Sequence, residues 1–157
     1  MDGQRRQALK KTGALSLLSL LSATGWLSAG DAHADSWNKN AFETHSLDDT
    51  TKALGGGAPV PSNDVVFFST PDIAENGAVV PIGITSKVPK TESIAILIEK
   101  NPNILAAVFD IPPGTEPTLS THIKMAQTSN VYALVKADGK YLVASKEIKV
   151  TLGGCGG

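Results

Sequence analysis

The chain has 157 residues, with 14 Lys and Arg against 15 Asp and Glu, and a single cysteine. With no excess of basic residues, neither nucleic acid nor an anionic membrane is an expected partner, since either wants a basic face. One cysteine also excludes an internal disulfide.

Residues 1–34 read as an export signal. Arg5, Arg6, Lys10 and Lys11 form a basic start, and 13–27 is a mildly apolar run. Ala32-His33-Ala34 has the small-x-small form of a signal-peptidase site, which places the cut between Ala34 and Asp35. That run falls short of the roughly 20 residues needed to cross a bilayer. Ser16, Ser19, Ser22, Thr24 and Gly25 weaken it further, so a membrane anchor is the less favoured reading. Arg5-Arg6 ahead of Ala8-Leu9-Lys10 fits a twin-arginine signal, the route that exports folded proteins, and the expected destination is the periplasm. Four of the 14 basic and two of the 15 acidic residues lie in this segment, so the remainder is the more acidic part. It is one domain in size.

The mature start, 35–61, reads as a helical arm and linker. Trp37, Ala41 and Phe42 share a helical face, and Ser46-Leu47-Asp48-Asp49 resembles a capping box opening a short helix to Leu54. The glycine- and proline-rich stretch 55–61 ends it, with Gly suited to a left-handed cap and Pro unable to continue a helix.

From 62 to 152 the pattern becomes β-like, with strands expected at 64–69, 78–86, 92–99, 104–110, 120–127, 130–136 and 140–151. Val80, Ile82 and Ile84 alternate with smaller residues, as in a half-buried strand. The continuous apolar run Ser93–Glu99 fits a central strand covered on both faces, and Met125, alternating with Ile123, should be core. Asp138-Gly139 suits a type I′ hairpin turn. The expected fold is all-β, an immunoglobulin-like antiparallel sandwich of about seven strands, with a small barrel as the alternative. Ile148, Val150 and Leu152 alternate with polar residues, so core contact is expected up to Leu152.

What remains is Gly153-Gly154-Cys155-Gly156-Gly157. Such an end has little side-chain surface to bury and should stay mobile. The span 151–155 reaches roughly 17 Å when extended. An exported protein with one unpaired thiol keeps it for its reactivity or for an intermolecular bond. Elsewhere little chemistry is assembled. His45 and His122 lie far apart and read as exposed side chains rather than metal ligands, and no Ser-His-Asp order, HExxH, P-loop or CxxC is present.

Four stretches carry a family resemblance: PDIAENGAVVPIGI (71–84), SIAILIEKNPN (93–103), STHIKMAQTSNVYALVKADGKYLVASKEIKV (120–150) and the terminal GGCGG (153–157). Together they resemble SoxY, the sulfur-carrier subunit of the bacterial thiosulfate-oxidising Sox system. The resemblance implies that Cys155 covalently holds sulfur intermediates, that Gly153, Gly154, Gly156 and Gly157 form a flexible arm, and that the protein is a carrier and not an enzyme. It needs no cofactor or metal of its own. It implies SoxZ, another β-sandwich, as a stable partner. Transient partners follow in turn: the haem c protein SoxXA to join thiosulfate to the thiol, the dimanganese hydrolase SoxB to release sulfate, and SoxCD where present.

No basic residue in the tail lowers the thiol pKa, and the Gly157 carboxylate disfavours thiolate, so activation is expected from a partner's site. Lys146 and Lys149 on the last strand read as solvated lysines that are also placed to attract an anionic adduct. Two other readings remain open. One is an exported interaction module whose Cys155 forms an intermolecular disulfide. The other is a thiol enzyme such as a sulfurtransferase, which needs a cleft and a base beside the thiol.

Overall fold

Runs of β-branched residues from Val65 onward build strands, and the computed structural model describes residues 38–152. Two short helices come first, α1 (Lys39–Phe42) and α2 (Leu47–Ala53). Nine strands follow among the described residues: β1 (Val60–Pro61), β2 (Val65–Phe68), β3 (Ile73–Ala74), β4 (Val80–Ser86), β5 (Thr91–Ile98), β6 (Leu105–Asp110), β7 (Thr118–Ile123), β8 (Ser129–Ala137) and β9 (Lys140–Val150).

They form a two-sheet sandwich. The larger sheet runs β1-β9-β8-β5-β6, with β3 also on β9, and the smaller runs β2-β4-β7. Period-two alternation decides which side chains fill the gap. Val80, Ile82 and Ile84 of β4 meet Ile94, Ile96 and Ile98 of β5 and Val131, Ala133 and Val135 of β8, all buried. Each large aliphatic side chain so buried contributes about 1.5–3 kcal/mol. The sheets do not close on one another, so the barrel alternative is excluded.

All seven expected strands are present. The largest difference in their ends is at β7, which stops at Ile123 and not 127. Its pairing with β4 runs out at Val80 opposite Ile123. Beyond that point the backbone is claimed by loops: Met125 N–H donates to the Gly77 carbonyl (2.7 Å) and Ala126 N–H to Asn101 Oδ1 (3.0 Å). Met125 is nevertheless fully buried, as expected. The sandwich departs from pure antiparallel pairing at one edge, where two strands of two residues each, β1 and β3, run parallel to β9.

Capping follows the sequence closely. Ser46 Oγ accepts from Asp49 N–H (3.1 Å) at the start of α2, and Gly55 takes the left-handed φ of 85° just past its end. The β8–β9 hairpin turns on Asp138 and Gly139, both at positive φ, with Ala137 opposite Lys140.

One expectation needs correcting. The segment read as an arm joined by a linker is packed on the larger sheet. Ala41 is fully buried there with Ala95, Leu97, Leu105, Leu134 and Tyr141, and Phe42, Leu47, Ala53 and Leu54 pack against the same cluster. The physical reason is the two-faced apolar character of β5. Ile94, Ile96 and Ile98 point between the sheets, so Ala95 and Leu97 face outward and need a cover. The helices supply it.

Candidate functional site

The end of β9 is the root from which the glycine-rich terminus follows in the sequence, and neighbouring backbone holds its last described residues. β3 lies parallel to β9 with Ile73 opposite Lys149 and Ala74 opposite Val150. Lys149 N–H donates to the Asp72 carbonyl (2.9 Å) and Thr151 N–H to the Ala74 carbonyl (3.1 Å). The Thr151 hydroxyl donates to the Glu75 carbonyl (3.0 Å). Gly77 N–H donates to the Leu152 carbonyl (2.7 Å). On the opposite side Val150 N–H donates to Thr128 Oγ1 (2.9 Å). The root is thus fixed through its backbone as far as Leu152.

Its last side chain lies outside the core. Leu152 is 66% exposed, which corrects the expectation that core contact reaches it. The last fully buried side chain of β9 is Ile148, because β3 occupies only the edge of the sheet and offers no layer for Leu152 to enter. Ile73 and Val79 are also more than half exposed. Ile73 belongs to the strand beside β9, and Val79 follows Gly77 by two positions, so an apolar rim accompanies the root.

The two strand lysines differ. Lys149 is exposed. Lys146 is only 27% exposed in its side chain, and its Nζ lies 3.0 Å from Asp72 Oδ1 and donates to the Thr70 carbonyl (2.7 Å). It is committed to the 70–72 segment and is not free to meet an anion. His45 is exposed with Nδ1 2.8 Å from the Pro102 carbonyl, and His122 is exposed on β7. Among the described residues, no group of three His, Cys, Asp or Glu is placed to hold a metal.

The signal residues Arg5 and Arg6, the expected cut at Ala34–Asp35, and the tail residues Gly153, Gly154, Cys155, Gly156 and Gly157 lie outside the described residues. What the sequence reading missed is the clamp on the root, formed by Asp72, Ala74, Glu75, Gly77 and Thr128. Residues 70–77 lie in a stretch with no long apolar alternation, and a strand of two residues leaves no periodicity to detect.

Fold and root together define a class: a β-sandwich with a helical cover on its larger sheet, whose final strand leads into a cysteine-bearing terminus. The chain belongs to the SoxY family, since the family model for the sulfur oxidation protein SoxY matches residues 50–155. The matched span ends on Cys155. Among solved structures, one described as the sulfur carrier protein SoxY from Chlorobium limicola f thiosulfatophilum is 35% identical. It matches with a TM-score of 0.58, over 66% of this chain and 96% of that one. A chain from a structure of T cell activation by the bacterial superantigen toxic shock syndrome toxin-1 is 16% identical, with a TM-score of 0.39, over 55% of this chain and 98% of that one. That likeness is too slight to inform fold or function. A comparison with curated proteins found none that matches.

Proposed function

We propose that this protein is a periplasmic sulfur carrier that holds thiosulfate-derived intermediates on Cys155 and presents them to partner enzymes without catalysing the chemistry itself. The observation that supports it best is the position of the sole thiol in the sequence, three residues beyond Leu152, the last described residue and one held through its backbone, in a chain of the SoxY family. Three residues extend to about 10 Å. That is shorter than the 17 Å counted from residue 151, because Thr151 and Leu152 are held. Glycines on both sides of Cys155 present no side chains to a narrow channel and accept bends that other residues resist.

The chemistry on the thiol balances as follows. Joining thiosulfate to Cys155 forms one S–S bond, releases the thiol proton and passes two electrons to an external oxidant, for which the family resemblance supplies the haem c protein SoxXA. Water then cleaves the terminal S–S bond, releasing sulfate and leaving a persulfide on Cys155, the step assigned by the resemblance to SoxB. SoxCD, where present, would oxidise the remaining sulfane sulfur. SoxZ is the proposed stable partner. The exposed Ile73, Val79 and Leu152 at the root suit brief contact with enzymes that take the tail.

The test is the intact mass of the protein purified from thiosulfate-grown cells. Thiosulfate or sulfane-sulfur adducts on the tail peptide, removable by reductant, are the expected result. A tail carrying only an intermolecular disulfide through Cys155 would support the interaction-module reading in its place.

A further inference from the structure

We infer that Lys146 is a positioning residue for the thiol arm: by tying the 70–72 segment to β9 it sets where the tail root leaves the sandwich. This rests on the carrier reading of Cys155. β9 alternates, and its residues Leu142, Ala144, Ile148 and Val150 pack toward the core between the sheets. Lys146 shares their parity. It is therefore a lysine pointed inward among apolar neighbours, a placement that costs stability unless the ammonium is paired.

Its partners explain the placement. The outer edge of β9 pairs with β1 at Leu142 and Val143 and with β3 at Lys149 and Val150, so among the described residues no strand lies on that side of 144–148. Residues 69–72 carry the chain from β2 of the smaller sheet to β3 on that edge. Ser69 turns there at a φ of 45°. Thr70 is fastened to the smaller sheet through its hydroxyl, which accepts from Gly83 N–H (3.1 Å) and donates to the Phe68 carbonyl (2.9 Å). Its carbonyl is fastened to the larger sheet by Lys146 Nζ. The ammonium joins the two sheets next to the root.

Register is what this connection controls. A pairing of two residues specifies its own alignment weakly, and a slip of one residue reverses which side chains face the core. It would also displace the root by about 3.3 Å. Against an arm of about 10 Å from Leu152 to Cys155, that is a third of the reach. An enzyme that grips the root and admits the tail together needs that offset fixed. An ion pair with an exposed Asp72 adds little stability, so stability alone does not account for an inward lysine where a leucine would pack better.

The experiment uses the mature protein with its partner subunit and compares Lys146→Met and Lys146→Arg. In Lys146→Met, amide exchange at Gly77, Lys149 and Thr151 should quicken about tenfold while Ile96 and Val131 stay protected. Enzyme-dependent loading of Cys155 with thiosulfate should show KM for the carrier raised about fivefold with kcat within twofold. Lys146→Arg should restore both, and alkylation of Cys155 by a small reagent should be unchanged in either variant. Asp72→Ala, at an exposed carboxylate that cannot compromise the core, should move exchange and KM in the same direction by about twofold. Unchanged exchange at the root overturns the inference, as does faster exchange with unchanged KM in Lys146→Met. Loading that persists in Cys155→Ser would instead overturn the carrier reading, whatever Lys146 does.

Discussion

The hydroxyl of Tyr141 donates to the carbonyl of Leu54 (2.7 Å) across 87 residues of sequence, and its ring fills the space that a Cβ on Gly56 would need. β9 thereby holds the C-terminal end of α2 against the larger sheet. Gly56→Ala should cost about 1–3 kcal/mol through overpacking against that ring. Tyr141→Phe should cost about 1 kcal/mol through the lost hydrogen bond. Urea unfolding of each variant checks both. A Gly56→Ala protein as stable as the parent would mean that the ring moves aside freely.

Tyr132 and Tyr141 are the only tyrosines in the chain, and burial raises the phenol pKa of both, with nearby Glu99 adding to the shift at Tyr132. At Tyr141, Lys136 opposes the shift in part. Since the folded values lie above the unfolded one, their contribution is fully present below about pH 10 and is lost as pH rises through the folded values. Phenolate absorbance should therefore appear at higher pH in the folded protein than in urea, and the urea midpoint should fall over the same alkaline range. Coincident titrations in the folded and unfolded states would contradict the burial of both rings.

Much of the sandwich was legible because its signals are local. Alternation at Val80, Ile82 and Ile84, the Ser46 cap, and Asp138-Gly139 each depend on residues within a few positions of one another. The helical cover was half legible. The apolar residues of α1 and α2 could be seen, and so could the two-faced β5, but nothing local joins Ala41 to Leu97. Gly56 read as linker composition, whereas its lack of a side chain is required by Tyr141, 85 positions away. The clamp on the tail root was hidden for the same reason. Apart from the Thr128 and Thr151 hydroxyls it is built from backbone groups of 72–77 and 149–152, and backbone hydrogen bonds leave no residue-type signature.

Export is the next test. The paired arginine ahead of a weak apolar run motivates the twin-arginine assignment. Arg5→Lys with Arg6→Lys should leave most of the protein in the cytoplasm with residues 1–34 attached, read by fractionation and N-terminal mass. Normal arrival in the periplasm, cut after Ala34, would show that another route serves it.

Among the described residues four sheet edges, the short β1 and β3 on one side of the larger sheet, β6 on its other side, and β2 and β7 in the smaller, end their sheets without a further strand. Open edges invite self-association unless covered. Residues 35–157 expressed alone should self-associate or precipitate, and co-expression with SoxZ should yield a soluble complex. A monomer that stays soluble alone and ignores SoxZ would remove the proposed partnership.

The tail carries the decisive experiment. Cys155→Ser should abolish thiosulfate-dependent turnover while leaving fold and partner binding intact, since Leu152 is already exposed and nothing beyond Ile148 on that strand is fully buried. Serine cannot form the sulfur–sulfur bond that holds the adduct. Replacing Gly154 and Gly156 with valine separates arm from thiol. The cysteine would still react with a small alkylating reagent at nearly the parent rate, but enzyme-dependent loading should fall at least tenfold, about 1.4 kcal/mol in the transition state. The fall is expected because β-branched side chains stiffen the arm and widen it against a channel wall. Measuring both rates on the same double variant makes the comparison internal. Equal loading by the valine tail and the native tail would show the glycines to be incidental, and a flexible, slender arm would no longer explain how Cys155 reaches its enzymes.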